Sequence, residues 1–122
     1  MAFKNRKSNY ALYETTKFSD FREMTENVAK RVPDRIAFRY KDNPKDKETK
    51  TVTFLESKEY IRDLATEFHA MGLTDKKVAI IGQASVEWFF AYTAVMSVGA
   101  ISVPIDKELP AEDMASIIRT AG

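Results

Sequence analysis

The sequence predicts an α/β fold, a short β-hairpin followed by an incomplete parallel sheet of the βαβ kind, flanked by helices. Three observations carry this expectation. Residues 34–41 alternate apolar and polar, as a half-buried strand does. Val78–Ile81 is a continuous apolar run of strand length, and Ile101–Ile105 is a β-branched run that holds Pro104. Between and around these runs, apolar residues recur at helical spacing.

Residues 1–17 read as an N-terminal arm, partly without regular structure, and 18–122 as one truncated subdomain. The arm carries Lys4, Arg6 and Lys7 with no apolar run behind them, so it lacks the pattern of a secretory signal. Ser19 is placed to cap a first helix, which carries Phe21, Met24, Val28 and Ala29 on one face and is closed by Pro33. The strand after it would set Ile36, Phe38 and Tyr40 on one side. Lys41–Lys50 is charged and holds Asn43 and Pro44, as a solvated loop does. Thr51–Phe54 then returns as an antiparallel partner.

Thr53 and Glu56 have capping-box spacing, and the helix behind them aligns Tyr60, Ile61, Leu64, Ala65 and Phe68 before Gly72 stops it. Val78–Ile81 has the texture of a strand covered on both faces. Ser85 caps the next helix, Val86–Val98, with Glu87 near its positive end. This helix is apolar almost all round and should be sandwiched. Gly99 ends it, Ile101–Ile105 follows as a parallel strand, and the crossover should be right-handed. Pro110 opens a last helix, Ala111–Thr120, with Glu112 and Asp113 early and Arg119 late. Its Met114, Ile117 and Ile118 call for a sheet to lie on. Gly122 follows where a further parallel strand is expected.

The chain has 122 residues, of which 44% are hydrophobic and 30% charged, an ordinary globular balance. A net charge of +1 gives no field for nucleic acid, and the absence of Cys excludes disulfides and thiol catalysis. A reducing, cytoplasmic setting is the expectation. Trp88–Ile105 lacks charge over a length near that of a membrane span, but Gly99 and Pro104 divide it into helix and strand.

No catalytic, cofactor-binding or metal-ligating residue emerges. Gly72, Gly82, Gly99 and Gly122 are too scattered for a phosphate-cradling loop. The turn Ile81-Gly82-Gln83-Ala84-Ser85 is the one place where a phosphate could meet a helix N-terminus, and it reads more simply as a turn. His69 has no second imidazole for a metal, and Glu112 with Asp113 is explained by the helix end. Trp88, Phe89, Phe90 and Tyr92 read as core.

Several ordered strings resemble the N-terminal region of the adenylate-forming acyl-CoA synthetases. They are Asn27–Phe38, Thr53-Phe54-Leu55-Glu56, Leu64–Leu73, Lys77–Ile81, Ser85-Val86-Glu87-Trp88, Gly99–Pro110 and the ending Arg119-Thr120-Ala121-Gly122. Leu12-Tyr13-Glu14 and Asp106–Pro110 look most like bacterial long-chain fatty acid–CoA ligases. The resemblance implies a parent enzyme that uses ATP and magnesium to convert a fatty acid to its acyl-adenylate, then passes the acyl group to coenzyme A. It implies that the family's phosphate loop, nucleotide contacts and catalytic lysine lie beyond this stretch. The stretch itself would then be inactive, without cofactor, partnered by the rest of its polypeptide. Ala84 departs from the family's frequent Asn, a turn former. Two alternatives stay open: the same chemistry on another acid (aryl, short-chain or amino acid), and a free-standing flavodoxin-like interaction module. Self-association through an unpaired sheet edge is expected either way.

Overall fold

A computed structural model describes residues 13–122; the arm residues 1–12 lie outside the described residues, and 13–17 belong to no helix or strand. The elements run α1 (Phe21–Arg31), β1 (Ile36–Tyr40), β2 (Lys50–Thr53), α2 (Phe54–Ala70), β3 (Lys77–Ile81), α3 (Val86–Ser97), β4 (Ile101–Ile105) and α4 (Ala111–Ala121). β1 and β2 form an antiparallel pair, and β3 and β4 a parallel pair, as two separate two-stranded sheets. The expected α/β architecture, hairpin plus incomplete parallel sheet, is what the chain adopts.

The cap of α1 lies one residue later than expected. Asp20, not Ser19, has the extended backbone of a cap and accepts the Glu23 N–H at 2.8 Å. Ser19 instead donates its own N–H to the Glu23 carboxylate at 2.7 Å, and its hydroxyl donates to the same oxygen. These two bonds hold the Glu23 carboxyl below its usual range. Thr53 and Glu56 form the expected reciprocal capping box at the start of α2. Gly72 ends that helix at φ 75°, a conformation that costs a Cβ-bearing residue.

The hairpin register slips between Ile36 and Phe38, where β1 holds one extra residue. Ile36 is thereby turned from the side it was expected to share with Phe38 and Tyr40, which pack on the core while Ile36 is exposed. β2 begins at Lys50 rather than Thr51 and ends at the α2 cap. The Lys50 ammonium pairs with Asp42 across the loop, which raises its pKa.

α3 joins the two sheets. Phe90 and Ala94 pack with Val52 and Ile61 against the hairpin side, while Val95 packs with Ile80 and Ala100 against the parallel sheet. Phe68 of α2 touches both clusters. An all-round apolar helix is the right surface for this double duty, as expected for a sandwiched element. The buried Thr93 hydroxyl donates to the Phe89 carbonyl at 2.8 Å, so its polar atom is satisfied within the helix.

Val78–Ile81 is covered on one face rather than two. Val78 and Ile80 meet α3, but Ile81 is 46% exposed and Ile101, on the next strand, 55%. α4 lies against β4 but buries none of its residues, and Ile117 and Ile118 stay exposed. No helix among the described residues is long and apolar enough to cross a membrane.

Candidate functional site

In open α/β sheets ligands gather beyond the carboxyl ends of parallel strands. Here that place is the β3–α3 turn, Gly82–Ser85, where a cleft of about 940 Å³ opens towards the hairpin. Phe38, Tyr40, Ile81 and Trp88 line its apolar side, and Lys41, Asp42, Gln83 and Glu87 its polar side. Trp88 is braced by Tyr92 one turn on, the rings stacked at 5.1 Å and 11°.

The turn does not offer the phosphate cradle that a glycine and a helix N-terminus could suggest. Ser85 Oγ accepts the Trp88 N–H at 3.1 Å, so one of the free donors of α3 is already used. Glu87 sits in the first turn of the same helix and supplies the negative charge that the helix dipole favours. A phosphate there would find one donor already taken and a carboxylate beside it. The cleft suits an apolar or aromatic body better than a polyanion.

His69 is exposed at the end of α2, its Nδ1 3.2 Å from Thr74 Oγ1. The contact ties the helix end to the loop before β3. Among the described residues no three His, Asp or Glu side chains stand together as metal ligands. Glu112 and Asp113 lie in the first turn of α4, as the helix dipole prefers.

A second depression, about 530 Å³, lies between α1 and α2 beside the end of α3. Arg22, Lys58 and Arg62 stand around it, and the sequence reading singled out none of them. The available signal was the spacing Lys58, Ile61, Arg62, Ala65, which mixes cations with apolar residues on one helical face.

Among known proteins, a mycosubtilin synthase component from Bacillus subtilis is 28% identical over 113 residues, which is 92% of this chain and 4% of that protein. The NpsA N-terminal subdomain of Klebsiella oxytoca has the same fold, at TM-score 0.75 and 23% identity over 86% of this chain and 26% of that one. NpsA in complex with 3-hydroxyanthranilyl-AMSN matches at TM-score 0.74 and 22% identity, over 87% of this chain and 20% of that one. CmiS6 matches at TM-score 0.73 and 21% identity, over 89% and 26%. The chain thus spans about a quarter or less of the proteins it resembles. Residues 25–122 match the family model described as AMP-binding enzyme, and the chain belongs to that family.

Proposed function

We propose that this chain is the scaffold-bearing N-terminal part of an enzyme that activates an amino or aryl carboxylic acid with ATP. In that reaction a carboxylate oxygen attacks the α-phosphorus, a phosphoanhydride bond breaks, and pyrophosphate leaves with the acyl-adenylate formed. The family match over residues 25–122 carries the reading. The choice of acid is supported by a relative named as a mycosubtilin synthase and by a same-fold protein held with a hydroxyanthranilyl-AMSN ligand.

A long-chain fatty acid as substrate, with coenzyme A as acceptor, is the second reading. It draws on Leu12-Tyr13-Glu14 and Asp106–Pro110 alone. Magnesium would accompany ATP in either, and a cytoplasmic setting suits both. The β3–α3 turn, already capped and carrying Glu87, is assigned no catalytic role in this reading. The interaction-module reading rests only on the open apolar face of β3 and β4.

ATP–pyrophosphate exchange by the whole protein, across amino, aryl and fatty acids, tests this. Exchange with an amino or aryl acid is expected. Exchange with long-chain fatty acids alone would move the assignment to the second reading, and none with any acid would overturn both. The 122-residue chain by itself should support no exchange.

A further inference from the structure

The groove between α1 and α2 has no part in the reading above, and its lining combines apolar residues with cations. Ile61, Ala65 and Val98 form an apolar floor. Ser97 and Val98 lead into β4 and Thr74 into β3, so the groove lies at the amino ends of the parallel strands, away from the aromatic cleft. A cavity of about 530 Å³ is of the size that holds a small molecule.

The charges at its rim are unequal. Arg22 is neutralised by Glu26, its Nε donating to Oε1 at 3.1 Å. Arg62 donates Nε and Nη2 to a single oxygen of Asp63, at 3.1 and 2.9 Å, which leaves Nη1 uncommitted among the described contacts. Lys58 is half-buried and has no ion-pair partner among the described residues. Lys58 and Arg62 lie one turn apart on α2, above the apolar floor. A half-buried lysine with an unpaired ammonium offers an anion a ready partner.

We propose that this groove binds a small amphipathic anion, a carboxylate carried on a short alkyl body. The alkyl part lies on Ile61, Ala65 and Val98, and the carboxylate meets Lys58 Nζ and Arg62 Nη1. The inference rests on the groove's own charge and shape and is independent of the enzyme reading.

Octanoate, with octylammonium as its charge-reversed counterpart, tests it by amide NMR titration of the 122-residue chain, at a dilution where sedimentation gives a monomer. Octanoate should give saturable shifts at Lys58, Arg62 and Val98, and octylammonium none at equal concentration. Lys58→Glu with Arg62→Glu should weaken octanoate about tenfold or more and reverse the preference. Equal binding of the two amphiphiles, or shifts confined to Ile81, Ile101 and Ile118, would overturn the proposal. If the double variant loses its dispersed spectrum, Lys58→Met, which keeps the apolar stem, decides: an unchanged octanoate affinity rejects the site.

Discussion

Lys77, the first residue of β3, donates through its ammonium to the carbonyl of Ala121 in the last turn of α4. This joins residues 44 apart in sequence and satisfies one of the carbonyls that a helix end leaves free. α4 buries no residue fully, and this bond ties its far end to the parallel sheet. Lys77→Met should cost about 0.3–1 kcal/mol and fall mostly on α4. Hydrogen exchange checks it: protection across 111–121 should drop while that of α2 is unchanged.

Phe90 is the residue on which the hairpin side of the core turns. Its ring lies 5.4 Å from Tyr60, stacked at 14°, and 5.7 Å from Phe38, edge-on at 89°. Helical spacing sets Tyr60 on the buried face of α2, yet it is 56% exposed, lying as a lid over Phe90. Phe90→Ala should cost about 3–5 kcal/mol, a large part of an ordinary domain's stability. Urea unfolding should show a sharply lowered midpoint, whereas Tyr60→Phe should be nearly silent.

What the sequence revealed, and what it hid, divides along local and non-local lines. The Thr53–Glu56 box, the Ser85 cap and the positive-φ stops at Gly72 and Gly99 are chemistry within a few residues, and each was legible. Ser19 and Asp20 are both good caps, and backbone geometry alone chose between them. The bulge at Ile36 broke an alternation that assumes an unbroken register. Ile81 misled because a continuous apolar run does not say which neighbour covers each face. The α1–α2 groove was illegible, since its cations meet its floor only after two helices pack.

Acid should loosen the start of α1 before the rest of the chain. Glu23 has its carboxyl held low first by the Ser19 hydroxyl and then by the Ser19 N–H. A lowered folded value means that the contribution is complete above the ordinary glutamate range and is lost as pH falls through the lowered one. Carboxyl-carbon NMR should therefore show Glu23 titrating below the ordinary glutamate range. Ser19→Ala should move it back up, and an unmoved midpoint would contradict the assignment.

The uncovered face of the parallel sheet should make this chain associate with itself when isolated. Ile81 and Ile101 stand exposed on adjacent strands, and Ile117 and Ile118 of α4 are exposed as well. Sedimentation should show concentration-dependent growth, and Ile81→Lys with Ile101→Lys should return a monomer. Fold should survive both changes because neither side chain lies in a buried cluster.

The hairpin and the parallel sheet share no hydrogen-bonded strand, yet α3 contributes side chains to the core of each. Neither half can keep its interior if that helix melts. Unfolding should consequently be cooperative across two sheets that are not joined, with one transition reported by Trp88 on one side and by the hairpin amides on the other.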